Sequence, residues 1–165
     1  MPKFDYSAKF PNNLVSTVNV GNLEKKVTYN SYDTKGNVTQ FTLENGIPIA
    51  LIWGYNQSQL IAKLENVQYS SISAATITDL QTKSNADIDN TTEQTLVTAL
   101  NLLRTTFPLS MIYTYSYNPL VGVTTITDNK GDTITYTYDT VGRLQKIIDK
   151  DGKLLSENQY HYKNQ

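Results

Sequence analysis

The sequence predicts an α+β fold in which antiparallel β-hairpins flank a two-helix insert packed on one sheet face. A phrase written at both ends of the chain carries the first half of that statement. It reads Tyr136-Thr137-Tyr138-Asp139-Thr140-Val141-Gly142-Arg143-Leu144, with Gly152 following, and Tyr29-Asn30-Ser31-Tyr32-Asp33-Thr34-Lys35-Gly36-Asn37-Val38, with Gly46 following. A looser copy is Tyr115-Ser116-Tyr117-Asn118-Pro119-Leu120-Val121-Gly122-Val123, followed by Gly131. Self-similarity at this scale marks a repeat architecture. The second observation is compositional. Twelve Tyr stand against one Trp and four Phe, charged residues are only 18%, and Tyr and Thr suit a pleated, half-buried surface. The third is a change of period in mid-chain, where Leu96, Ala99, Leu100 and Leu103 recur at helical spacing.

Along the chain, Val15–Val20 alternates as a strand, with Gly21-Asn22 as its turn. Val27, Tyr29 and Ser31 alternate with Thr28, Asn30 and Tyr32, and Asp33-Thr34-Lys35-Gly36 closes a hairpin. Asp can bond its own backbone two residues on, and Gly accepts positive φ. Val38–Leu43 forms the next strand, Glu44-Asn45-Gly46 a strong hairpin turn, and Ile47–Trp53 a third strand. Pro48, lacking an N–H, suits a strand start or an edge. Leu60–Val67 follows the turn Gly54–Ser58.

Between Ser71 and Ser84 the spacing of Ile72, Ala75 and Leu80 predicts a short helix, and 84–90 reads as a loop. The second helix is placed at 91–105, with Thr91 and Gln94 as capping box, Glu93 in the first turn, Arg104 near the end and Pro108 as stop. Strands resume at 111–118, 123–128, 132–138, 143–149 and 153–162. The organisation is one domain over 1–165, with N-terminal hairpins at 27–70, a helical insert at 71–106 and C-terminal hairpins at 111–162.

Composition narrows the function classes. The net charge of −1 is spread evenly, so no basic block neutralises phosphates and nucleic acid is not expected as a partner. The longest apolar run, Ile47–Trp53, is too short to span a bilayer. With no Cys, disulfides and thiolate chemistry are excluded. The N-terminal residues lack the apolar core of a signal peptide. The chain is therefore either cytoplasmic or a fragment of a longer exported chain with an added Met, and the fragment is favoured because repeats begin almost at once and the end follows closely on Tyr160-His161-Tyr162.

Several residues invite a chemical reading. His161 sits between two tyrosines and reads as an exposed strand residue. Asp128–Asp132 and Asp149–Gly152 share residue types with calcium loops but lack the remaining ligands and the terminal Glu, so they read as turns and no metal is expected. Asp33 and Asp139 could serve as an acid–base pair, yet they hold the same repeat position, which marks them as turn formers. No catalytic residue and no cofactor is assigned. Trp53 and Tyr55 form a candidate aromatic platform for a glycan or protein, with Trp53 also read as packing over the helices. The tyrosine rows (113, 115, 117; 136, 138; 160, 162) read as cross-strand ladders.

At these residues the chain resembles the YD-repeat, or Rhs (rearrangement hot spot), family, whose phrase is approximately Tyr-x-Tyr-Asp-x-x-Gly-Arg-Leu with a further Gly downstream. Residues 136–152 match it almost fully, 29–46 with Asn37-Val38 in place of Arg-Leu, and 113–131 loosely. The motif residues are Tyr32, Asp33, Gly36, Tyr136, Tyr138, Asp139, Gly142, Arg143 and Gly152. The stretches from Trp53 to Asn66 and from Leu102 to Val123 are similar to long surface-protein variants of the family in Bacteroidetes-type bacteria. The resemblance implies hairpins joined into a curled sheet, in a large bacterial secreted or cell-surface protein whose shell can enclose a passenger such as a toxin. The Asp-containing self-cleavage motif of some members is not found. The implied function is a non-enzymatic structural section whose partners are other repeats of the parent chain. A carbohydrate- or protein-binding module using exposed Tyr and Trp is the alternative. Unpaired sheet edges carry a further expectation of self-association.

Overall fold

A computed structural model describes residues 13–19 and 22–160, with side chains from residue 26 onward. Expectations resting on His161, Tyr162, Val20 and Gly21 lie outside the described residues.

Among the described residues, ten strands form one sheet in strict sequence order, β1 to β10. They are β1 (Asn13–Asn19), β2 (Asn22–Tyr32), β3 (Val38–Leu43), β4 (Pro48–Gly54), β5 (Gln59–Glu65), β6 (Met111–Asn118), β7 (Gly122–Thr127), β8 (Thr133–Tyr138), β9 (Leu144–Ile148) and β10 (Leu154–Glu157). Each pairs antiparallel with the next. The architecture is therefore α+β, a single meander plus the helices α1 (Ala74–Asn85) and α2 (Asn90–Thr106). A 3-10 turn at Tyr69–Ser71 precedes α1.

The helices leave the sheet between β5 and β6 yet do not interrupt it. Those two strands pair directly, Ala62 opposite Thr114 and Glu65 opposite Met111. The apolar stripe of α2 behaves as its spacing predicts, with Leu96, Ala99, Leu100 and Leu103 all buried. With Leu80 of α1 they pack on Ala50 and Ile52 of β4, Ile61, Ala62 and Leu64 of β5, and Ile112 of β6. Burying a side chain of the Leu or Ile class stabilises by about 1.5–3 kcal/mol, so this cluster holds most of the apolar driving force. No residue of β8, β9 or β10 is fully buried.

The start of α2 differs from the sequence expectation. The N-cap is Asp89, not Thr91, and Asp89 Oδ1 accepts the N–H groups of Thr91 and Thr92 at 3.0 and 2.9 Å. Thr92 rather than Gln94 completes the box, its hydroxyl accepting the Asp89 N–H at 3.0 Å. A short carboxylate directly before the first turn outcompetes a β-branched hydroxyl as cap. Arg104 does more than meet the helix dipole. Its guanidinium spans to the sheet, donating to Ile112 O at 2.6 Å and, at 3.4 Å, to Thr114 Oγ1 and Thr127 O.

Candidate functional site: the joint between hairpins

Four turns share one construction. Asp33, Asp128, Asp139 and Asp149 each accept through Oδ1 the N–H groups two and four residues on, at 2.8–3.0 Å. The Asp N–H bonds the carbonyl four residues on, and the N–H of the fourth turn residue, a Gly, bonds the Asp carbonyl. Gly142, at φ +80, shows why that position is Gly: an L side chain is strained there. The backbone N–H groups of Asp132 and Arg143 hold the carboxyls of Asp128 and Asp139, respectively, below the usual range. Both Oδ1 atoms are committed to backbone, which accounts for the Asp and Gly content without a cation. Among the described residues no group of three His, Cys, Asp or Glu could hold a metal.

A second element links successive hairpins. The Tyr138 hydroxyl donates to Val123 O at 2.8 Å, Tyr117 to Leu60 O at 3.0 Å, Tyr160 to Leu144 O at 2.9 Å, and the Trp53 indole N–H to Val38 O at 2.8 Å. In every case the accepting residue pairs with the preceding aromatic of the series: Val38 with Tyr32, Leu60 with Trp53, Val123 with Tyr117, Leu144 with Tyr138. Each of those pairs lies immediately beyond a register shift. The extra residue falls on the incoming strand: Thr39, Ile61, Thr124 and Gln145. Such a bulge bends the strand and re-aims neighbouring side chains, here bringing a ring over the previous hairpin. The fit is close at Gly122, where a Cβ would lie 2.6 Å from Tyr138 Oη.

The residues of the aromatic series fall at 32, 53, 117, 138 and 160, the last four of them donors to a preceding hairpin. Successive intervals are 21, 64, 21 and 22 residues, so the helical insert adds 43 to one repeat. Trp53 thus occupies the tyrosine position of a hairpin whose phrase is otherwise absent. Its indole donor is spent on Val38, and the partly buried rings against the helix core are Tyr69, Phe107 and Tyr117. The reading of Trp53 as packing over the helices is replaced by this role. Spacing was the signal that could have found it, since an indole N–H substitutes for a phenol as donor.

Arg143 closes the motif. Its Nε and Nη2 lie 2.8 and 2.7 Å from Asp139 Oδ2, and its guanidinium stacks 4.1 Å from the Tyr160 ring centroid. One side chain therefore joins a turn to the next hairpin. Tyr136 pairs with Ile147 across β8 and β9, and Gly152 completes the Asp149 turn.

The turn after Trp53 departs from the pattern. Gly54 stands where Asp33, Asn118 and Asp139 follow Tyr32, Tyr117 and Tyr138, and Tyr55, Asn56 and Gln57 all take left-handed backbone, at φ +49, +57 and +61. Conformations of that kind in non-Gly residues persist only where surroundings enforce them. The enforcement comes from α1: Ser84 Oγ accepts the Tyr55 N–H at 3.0 Å and Asn85 Oδ1 the Asn56 N–H at 2.6 Å. From the other side, Asn37 donates to Gln57 O at 2.8 Å and Lys35 to Asn56 O. The helix supplies the acceptors that an Asp side chain supplies elsewhere. It also forbids that Asp, because a Cβ on Gly54 would lie 2.4 Å from Ser84 Oγ.

Tyr55 is correspondingly not a platform. It is 4% exposed, its hydroxyl donates to Asp87 Oδ2 at 2.5 Å and accepts the Tyr117 N–H at 2.8 Å, and its ring meets Tyr117 edge-on at 5.5 Å. Burial, then the bond to Asp87, pushes its hydroxyl far above the ordinary phenol range. The aromatic platform needs it exposed; the insert covers it.

Beside it, Glu93 Oε1 accepts from Ser116 Oγ at 2.7 Å and from Thr124, and Ser116 Oγ lies 2.5 Å from Thr125 Oγ1. A hydroxyl against a carboxylate has the form of a nucleophile–base pair, but Ser116 is fully buried, and the cluster fastens α2 to β6 and β7. A shallow cleft between α1 and α2 runs past Asp79, Lys83, Thr95, Thr98 and Leu102, with Lys83 and Asp79 paired across one turn of α1. No described helix is long and apolar enough to cross a membrane.

The family model for the RHS repeat matches residues 121–154, the span from the Tyr117–Val123 joint through the Asp149 turn. No curated protein matches the chain.

Proposed function

We propose that the chain, whose residues 121–154 match the RHS repeat model, is an Rhs/YD-repeat protein and a non-enzymatic structural section of a secreted or cell-surface protein. Its job is to extend a curled sheet by YD-type hairpins. The observation that supports this reading is the aromatic series. Each hairpin is built to be bonded by the next, through one donor aimed at one backbone carbonyl. Trp53 and Tyr55, the residues a glycan or protein partner would use, are both spent on internal bonds, which favours scaffold over binding module. On this reading 1–165 is one domain, a passenger such as a toxin lies elsewhere in the parent chain, and the partners are neighbouring repeats. The open edge at β10, exposed along its length, is where the next hairpin or another copy adds.

Duplicating residues 139–160 directly after Tyr160 tests this. In a repeat array, stability is a sum of unit and neighbour terms, so the longer protein should gain strand content and denature at higher urea. An added segment that stays unfolded would refute the modular reading. Light scattering reports edge pairing, and a glycan array that returns a ligand lost on Trp53→Phe would move the reading to a binding module.

A further inference from the structure

The turn between β3 and β4 repeats the backbone frame of the Asp turns without their Asp. Leu43 holds the first position; its N–H bonds Ile47 O at 3.1 Å, and the Gly46 N–H bonds Leu43 O at 2.9 Å. In the Asp turns the N–H of the fifth residue goes to the carboxylate of the first. Leucine offers no acceptor there, so the Ile47 N–H donates to Asn45 Oδ1 instead, at 3.1 Å. That bond closes a ring around the Asn45–Gly46 peptide and holds the side-chain amide carbon against the Gly46 nitrogen. Asn45-Gly46 is the one Asn-Gly pair in the sequence. Both residues are exposed, and a Cβ built on Gly46 would meet nothing within 4 Å. Glycine also puts no side chain in the way of a close approach to its backbone.

We propose that Asn45 is a self-modification site, where the side-chain amide is lost by cyclisation onto the Gly46 nitrogen. The nitrogen attacks Asn45 Cγ. The N–Cγ bond forms, the Cγ–Nδ2 bond breaks, and ammonia leaves with the proton that the Gly46 nitrogen gives up. Water then opens the five-membered imide. Opening at the side-chain carbonyl gives Asp, and opening at the backbone carbonyl gives an isoaspartyl link. The Ile47 N–H serves as the donor that stabilises charge developing on Oδ1 during the attack. The attack breaks the bond from the Gly46 N–H to Leu43 O. The Asp product keeps the Ile47 bond with a carboxylate as acceptor, as in the other turns. The isoaspartyl product adds a methylene to the main chain just before β4, which carries Ala50 and Ile52 of the core. This turn therefore changes its charge or its length with age and without an enzyme.

The test holds the full chain in mildly alkaline buffer and sequences the tryptic peptide 36–63 by tandem mass spectrometry at intervals. Conversion of Asn45 to Asp and isoaspartate should lead that of every other Asn. Leu43→Asp and Leu43→Asn, at a side chain 36% exposed, each offer the Ile47 N–H the acceptor position that the other turns use. Conversion should fall roughly tenfold in both, less than the roughly 10²–10³-fold that one such donor is worth in an enclosed site. No conversion at Asn45 in the wild type overturns the proposal, as does an unchanged rate in both variants. Slowing in Leu43→Asp alone also overturns it, because the added charge then accounts for the effect. Should the variants fold poorly, the order of conversion in the wild type decides by itself.

Discussion

Removing one tether should cost a defined amount, and the loss should be coupled to a single glycine. Tyr138→Phe deletes the hydroxyl that bonds Val123 O at 2.8 Å and leaves ring packing in place. A neutral hydrogen bond of this kind contributes about 0.5–1.5 kcal/mol net. For a chain of this size each kcal/mol lowers Tm by roughly 2–4 °C. Gly122→Ala attacks the same contact from the other side, because the new Cβ would sit 2.6 Å from Tyr138 Oη and 3.2 Å from Cζ. Overpacking of that sort costs about 1–3 kcal/mol. In the Tyr138→Phe background the closest atom is gone, so the alanine should cost less, by about 0.5 kcal/mol or more of coupling. The assay is equilibrium urea unfolding of the wild type, both single variants and the double variant. Any backbone strain the alanine introduces at residue 122 cancels in the cycle. Strictly additive losses would refute the claim that Gly122 exists to admit the Tyr138 ring, and an unchanged midpoint in Tyr138→Phe would refute the tether itself.

Two further outcomes follow from the core and the turns. Leu100→Ala, at a side chain 1% exposed, should destabilise by about 2–5 kcal/mol. Leu155→Ala on the open strand β10, 53% exposed, should stay within about 0.5 kcal/mol, and thermal unfolding of the two variants separates these expectations. Acid should loosen the turn that Asp139 organises. The Arg143 backbone N–H, with help from the Arg143 side chain, depresses the Asp139 carboxyl. Its contribution is therefore full above the ordinary aspartate value and is lost as pH falls through the depressed one. Asp139→Asn should flatten the acid side of a plot of Tm against pH, and an unaltered acid slope would show that the turn carboxylate does not contribute.

Much of this architecture is readable from local chemistry. The Asp-x-x-Gly turns announce themselves because every group they need lies within five residues, and α2 because Leu96, Ala99, Leu100 and Leu103 follow the helical period. What sequence alone missed depends on partners far along the chain. Trp53 lost its identity as a repeat residue because Gly54 replaces the expected Asp, and the reason for that glycine, Ser84, lies thirty residues on. Tyr55 was misplaced for the same cause. The Asp89 cap was overlooked because two adjacent positions offered plausible acceptors, and only the backbone path into the helix decides between them. The set of buried Asp87 and Ser116 with half-buried Glu93 has no signature, since its members sit on separate elements and meet only when the insert folds back onto the sheet.

The pairing of Glu65 with Met111 has a consequence for how such a chain can change. The chain departs and returns one strand spacing apart, about 4.8 Å, so the sheet poses almost no geometric demand on what is carried between those points. In that sense the site is an open socket. Ser84 and Asn85 make the present occupant a keyed one, because they complete the turn that Gly54 leaves unfinished. Exchanging the helices for a short loop, or for a different cargo, thus requires a compensating change at Gly54, thirty residues before Ser84. Insert and turn must be inherited as a pair.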